Sequence, residues 1–140
     1  MNPAYWITRL QSELGDTVRG VEGAANFATA SRTIKTSPYL WVVPLNVKAY
    51  DNELINGVSQ LVVSSMGIIC AIRNVSDSHG GAAQNELVDI RQAYFDALLG
   101  WTPDDAAHSV EYSRGSLMGF SESLLWWVDE FSAGEYIRAS

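Results

Sequence analysis

Apolar residues recur at helical spacing most clearly over Asn85–Leu98, which predicts an amphipathic helix there. The residues on its apolar face are Leu87, Ile90, Tyr94 and Leu98. Gly100 is expected to take the left-handed conformation that often follows a helix, and Pro103 prevents the helix from resuming. Trp101 lies between them, and we expect its ring to pack beside the helix.

Two further helices are predicted near the N-terminus. Ala4–Leu14 is the longer one, since large apolar residues recur in it at four-residue intervals. These residues are Trp6, Leu10 and Leu14. Ala24–Ala30 is a short run of mostly small residues, and the polar segment Ser31–Ser37 after it predicts an exposed loop.

Dense apolar runs predict the strands. Tyr39–Leu45 is expected to be covered on both faces, and to end at Pro44 or lie at a sheet edge there, because proline has no amide hydrogen. Leu124–Phe131 is expected to point the neighbouring rings of Trp126 and Trp127 to opposite faces. Weaker patterns predict a strand at Val18–Val21 and a strand followed by a turn at Val110–Gly115.

The apolar stretch Val58–Asn74 fits two arrangements. A turn at Ser65–Gly67 would make it a hairpin whose second strand runs over Ile68–Arg73. The alternative is one long bent strand. Polar residues on either side predict a loop at Tyr50–Gly57 and a flexible loop at Ser76–Gln84.

The predicted order of elements is α, β, α, β, β, α, β, β. This order indicates an α+β fold, with a mostly antiparallel or mixed sheet and about three helices packed on it. The length of 140 residues corresponds to a single compact domain spanning residues 1–140.

Composition limits the classes of partner. The chain is 47% hydrophobic, and its 16 acidic and 9 basic residues give a formal net charge of −7. This charge argues against a surface that grips nucleic-acid phosphates. From Trp101 onward, acidic residues outnumber basic ones seven to two. That acidic third is either a solvated face or one half of a charge-matched protein contact.

Residues with reactive side chains are few. His79 follows Asp77 and Ser78, but three successive residues cannot form a catalytic relay, and His108 lacks companions with metal-ligand spacing. Gly80-Gly81 lacks the remainder of a phosphate-binding loop. We therefore expect no catalytic residue, no cofactor and no metal.

The remaining signals concern compartment. Cys70 is the only cysteine and stands among isoleucines, which indicates a buried free thiol. No secretory signal is visible, and no stretch approaches the ~18 apolar residues of a membrane helix. We expect synthesis in a cytosol and no membrane association.

Six segments in order resemble the tail terminator proteins of long-tailed, siphophage-type bacteriophages, over about Arg9–Arg138. They are Val18–Asn26, Pro38–Leu45, Asn56–Gln60, the valine-rich run ending at Arg73-Asn74, Leu98–Pro103, and Trp126-Trp127 ahead of Phe131.

The resemblance implies an α+β subunit of a closed homo-oligomeric ring, typically a hexamer. Such a ring caps the completed tail tube, binding the tail tube protein, and then docks the head–tail connector or neck protein. It implies no catalysis and no cofactor. Genomic DNA would pass through the ring without specific binding, and the protein would lie in the virion at the head-proximal end of the tail.

Polar loops and one tryptophan are the candidate contacts with these partners. A small core cannot easily bury two adjacent indole rings, so Trp127 either serves a subunit contact or packs in the core. The complete set of candidate interface residues is Arg32, Lys35, Tyr50, Asp51, Asn52, Glu53, His79 and Trp127. Rival interpretations are another head–tail joining protein, or a small ligand-binding or hydrolase domain that uses His79 or His108.

Overall fold

Three helices and five strands follow one another in the predicted order within the parts that the computed structural model describes, residues 1–30, 37–73, 81–121 and 123–140. The helices are α1 (Pro3–Leu14), α2 (Ala24–Ala30) and α3 (Gly81–Leu98). The strands are β1 (Gly20–Gly23), β2 (Tyr39–Ala49), β3 (Val58–Arg73), β4 (Glu111–Ser121) and β5 (Leu124–Ala139).

The strands form one mixed sheet in the spatial order β1-β2-β3-β5-β4. β1 runs parallel to β2, and the other neighbouring pairs are antiparallel. β3 is central, and it pairs with β5 along its whole length. The predicted α+β class is confirmed, with a mixed sheet and three helices in a single compact domain.

The main core lies between one face of the sheet and helices α1 and α3. The predicted apolar faces of both helices are buried there, and alternate residues of β3 meet them. The buried β3 residues are Met66, Ile68, Cys70 and Ile72. Gly100 has the predicted positive φ of 80°. Trp101, which was expected to pack beside α3, is half-buried and packs edge-on against Trp6 of α1, with ring centroids 5.8 Å apart.

A smaller core lies on the opposite face of the sheet, beneath α2. The rings of Trp41 and Trp126 stack at 5.6 Å, and Phe27 of α2 covers both rings edge-on. Trp127 packs against the main core instead. The prediction that these adjacent tryptophans point to opposite faces is confirmed.

The stretch Val58–Asn74 contains one strand, so the hairpin alternative is wrong. Ser65, in the proposed turn, pairs with Asn46 on one side and Ser132 on the other. Partners on both sides keep this small polar residue in the ladder despite its local turn propensity. The strand at Pro44 continues to Ala49 through a bulge, and Pro44 does lie at an edge because β1 pairs only as far as Val42.

Several predicted boundaries are wrong, chiefly where tertiary pairing extends an element. β1 begins at Gly20, and β4 passes Gly115 without the predicted turn because β5 pairs with it as far as Ser121. α3 begins at Gly81, within the predicted flexible loop, where Ala83 is buried against the core. The loop at Tyr50–Gly57 is confirmed. Among the described residues, no helix has the length and apolar character needed to cross a membrane.

Replacing Ile68 with alanine tests the central position of β3. The side chain is fully buried, so Ile68→Ala should lower the free energy of unfolding by about 2–5 kcal/mol through lost contacts and a residual cavity. The control is Val47→Ala at a position 67% exposed, where a change below about 0.5 kcal/mol is expected. Chemical denaturation measures both, and equal effects would contradict the observed burial.

Candidate assembly surfaces

The sheet extends beyond the helices at one end. There the second halves of β2 and β5 flank the first half of β3, and most of their side chains are exposed or half-buried. Residues 50–57, which we call the hairpin tip, connect β2 to β3 at this end. The hairpin tip therefore projects from the domain on a three-stranded support.

One side chain organises the hairpin tip. The Asn52 carboxamide oxygen accepts hydrogen bonds from the amides of Leu54 (3.2 Å) and Ser59 (2.9 Å). Its NH2 group donates to the carbonyls of Leu54 (3.3 Å) and Gly57 (3.0 Å). Four bonds to three residues give this exposed loop a defined backbone shape.

Backbone geometry at the end of the loop adds a second constraint. Gly57 has a φ of +80°, and a Cβ there would lie 2.9 Å from the carbonyl oxygen of Ala139. The Gln60 side chain donates to the Tyr50 carbonyl at 3.0 Å. The loop is thus hydrogen-bonded to β3 and approaches the end of β5 closely, and glycine suits position 57 because it has no Cβ and accepts a positive φ.

The hairpin tip presents apolar and acidic groups to solvent. Ile55 is 99% exposed, and Leu54 is 50% exposed. The acidic residues Asp51 and Glu53 are also exposed. Tyr50 is 46% exposed, with the Lys48 ammonium 5.0 Å from its ring centroid. Ile55 and Leu54 are thus neighbouring exposed apolar side chains on a loop whose backbone is constrained.

A second surface is built around a buried carboxylate beneath α3. Asp129 of β5 is fully buried, and Arg91 grips it through Nε to Oδ2 (2.8 Å) and Nη2 to Oδ1 (3.0 Å). The hydroxyls of Tyr94 and Tyr112 also donate to this carboxylate, the latter at 2.9 Å. Gly115 of β4 leaves room for it, because a Cβ there would overlap the carboxylate.

These hydrogen bonds decide the ionisation of the group. Burial alone raises the pKa of a carboxyl group, but the bonds from Arg91, Tyr94 and Tyr112 outweigh burial and hold the pKa of Asp129 below its usual value. The bond to Asp129 raises the pKa of Arg91, and burial beside the carboxylate raises the pKa of Tyr94. At neutral pH, Asp129 is therefore a charged carboxylate and Arg91 a charged guanidinium. Their ion pair joins β5 to α3.

The outer side of this network is apolar. The Arg91 guanidinium lies over the rings of Trp127 (4.9 Å) and Phe95 (5.2 Å), and Leu117 of β4 is the cross-strand neighbour of Trp127. Around them are large hydrophobic side chains that are about half exposed. We call this surface the β4 flank: Val88, Arg91, Phe95, Leu117, Met118, Phe120 and Trp127.

The structure divides the predicted interface residues into two sites. Tyr50, Asp51, Asn52 and Glu53 lie together in the hairpin tip. Trp127 lies near the other end of the sheet, in the β4 flank, half-buried under Arg91. The remaining three candidates, Arg32, Lys35 and His79, lie outside the described residues.

Sequence reasoning missed most of the β4 flank. Two adjacent carboxylates, Asp129 and Glu130, inside an otherwise apolar predicted strand were the signal for buried ion pairs. His108 is exposed and packs edge-on against Tyr136 at 5.6 Å. Within the described ranges, no group of three or more His, Cys, Asp or Glu residues is placed to hold a metal ion.

Comparison with known families gives one match. The family model described as phage tail terminator protein matches residues 1–140. The search of curated proteins found no match.

Removing the Asn52 side chain should loosen the hairpin tip without unfolding the domain. Asn52→Ala deletes four hydrogen bonds, and amide exchange at Leu54 and Ser59 should accelerate about tenfold or more. Asn56→Ala, an exposed change in the same loop, is the control. Hydrogen–deuterium exchange measures both, and unchanged protection in Asn52→Ala would show that other contacts hold the loop.

Neutralising the buried carboxylate should destabilise the protein at neutral pH. Asp129→Asn removes the charged partner of Arg91 and should cost on the order of 2–3 kcal/mol. A lowered carboxyl pKa contributes stability above the unfolded value of about 4, and this stability is lost as the pH falls through the folded value.

The difference in unfolding free energy between the wild type and Asp129→Asn should accordingly shrink as the pH drops below about 4. Denaturation midpoints across the acidic range measure this difference. Asp89→Asn, on the exposed surface of α3, is the control. A difference independent of pH would contradict the lowered pKa of Asp129.

Proposed function

The chain belongs to the phage tail terminator family, and we propose that it is the subunit of a ring that ends the tail. The family makes it a structural component of the virion, associated with other parts of the phage tail and head. We propose specifically that the ring caps the completed tail tube, stops its polymerisation and then receives the head through its connector or neck protein.

The match over residues 1–140 is the observation that carries this proposal. The organisation of the domain supports it. A head-to-tail ring needs two different contact patches on each subunit, held rigidly with respect to one another. The hairpin tip and the β4 flank are two such patches, and β3 and β5 run between them through the core.

We propose a homo-oligomeric ring, with six copies as the expected number. The ring lies at the head-proximal end of the tail, after assembly in the host cytoplasm. Genomic DNA passes through the ring without specific binding. The net charge of −7 per subunit supports this last point, since like charge limits adhesion of the duplex to the wall of the channel. A structural role requires no catalytic group.

Capping can be tested with the purified protein and tail tubes. Mixed with tubes, the wild-type protein should form closed rings at one end of each tube and block further addition of tube subunits, because the cap does not expose the surface to which those subunits bind. Negative-stain images and the mass in solution measure ring formation, and tube length after adding more tube protein measures the block.

The variant His79→Ala/His108→Ala provides the control for the rival hydrolase or ligand-binding function. Capping should be unchanged in this variant, because a structural role does not use an imidazole. A wild-type monomer that ignores tube ends would overturn the capping function. Capping lost only in the histidine variant would instead favour a role for these side chains.

A further inference from the structure

The hairpin tip has the properties of a loop that inserts into a partner protein. Ile55 is 99% exposed on a loop whose backbone Asn52 ties at three residues. Because the loop is already shaped, burying Ile55 and Leu54 in a partner would cost little ordering entropy. The apolar area would then contribute directly to association.

The β4 flank has the properties of a receiving surface. Val88, Leu117 and Phe120 are 62%, 51% and 60% exposed. On α3, the side chains of Val88, Arg91, Gln92 and Phe95 line a shallow pit. Isolated exposed apolar residues need no explanation, but a group of them beside a pit indicates a protein contact.

The free edge of β4 is unsuited to strand addition. Its ladder with β5 shifts register between Tyr112 and Arg114 and again between Leu117 and Gly119. Bulges of this kind twist an edge away from a second ladder. A partner at this edge therefore binds through side chains, which suits a protruding loop better than a strand.

The charges of the two surfaces are complementary. In the β4 flank, Arg91 pairs with Asp129, and the carboxylate is the more buried partner. The Arg91 side chain is 30% exposed and Asp129 is fully buried, so this surface presents the positive end of the ion pair. The hairpin tip presents Asp51 and Glu53, which form no ion pair with any described residue.

We propose that the hairpin tip of one copy of this chain docks on the β4 flank of the next copy, with Ile55 seated against Leu117 and the pit on α3. The acidic side chains beside Ile55 then face Arg91. Two different patches of one chain make a head-to-tail contact, which closes a ring when its rotation divides a full turn. The inference rests on the proposed ring function and assigns its subunit contact.

A pair of complementary variants tests the contact. Ile55→Asp disables the hairpin tip, and Leu117→Asp disables the β4 flank. Both residues are exposed, so both variants should fold, and thermal denaturation verifies this. Each variant alone should be monomeric, with self-association weakened at least about 30-fold. Tyr5→Asp on α1, a position 38% exposed, is the matched control and should form rings like the wild type.

Mixing the two variants gives the decisive measurement. The intact hairpin tip of Leu117→Asp can still dock on the intact β4 flank of Ile55→Asp, so an equimolar mixture should yield dimers with one copy of each variant and no rings. Sedimentation velocity with one variant labelled measures this. A mixture that remains monomeric would overturn the tip-to-flank contact.

Two other outcomes separate this inference from the proposed function. Rings formed by Ile55→Asp as readily as by the wild type would overturn the contact and leave the ring function standing. If those rings also failed to cap tubes, the hairpin tip would be a surface for the tube protein. A wild-type chain that forms no ring, alone or on tubes, would overturn both proposals.

Discussion

The pairing of β3 with a strand on each side holds both cores of the domain in place. This strand bonds to β2 and to β5, and its alternate side chains enter opposite cores. Met66, Ile68, Cys70 and Ile72 receive α1 and α3, whereas Ile69 and Ala71 join the smaller core under α2. A one-residue slip of β3 would exchange these two sets, so burial on both faces defines its register.

The two exposed surfaces are each organised by one polar group with several partners. Asn52 shapes a loop in water, where each hydrogen bond contributes modestly and their number matters. Asp129 is buried, where an unpaired charge would be strongly destabilising and where Arg91 and two tyrosines satisfy it. The first holds a protruding loop in one shape, and the second fastens α3 and β4 around β5. Both devices position apolar side chains that the domain itself leaves uncovered.

Much of the fold followed from local pattern. The residues at four-residue steps in α1 and the apolar face of α3 predicted which sides of these helices are buried, and the opposite orientations of Trp126 and Trp127 followed from strand alternation. The wrong predictions concern segments whose conformation depends on a neighbouring strand or side chain. Considered alone, the segment Ser65–Gly67 is typical of a turn, yet pairing with β2 and β5 keeps it extended. Gly115 was expected to end a strand, but its missing side chain makes room for Asp129.

The α+β class, the order of elements, the net negative charge and the family resemblance all followed from the sequence alone, because they depend on periodicity, composition and ordered short segments. The same patterns predicted a polar loop at Tyr50–Gly57. The three-dimensional structure was needed to show that Ile55 projects fully into solvent on that loop and that Arg91 binds Asp129. The ion pair of Arg91 and Asp129 joins residues distant along the chain, and the exposure of Ile55 depends on the absence of any described residue that covers it. No local sequence pattern encodes either feature.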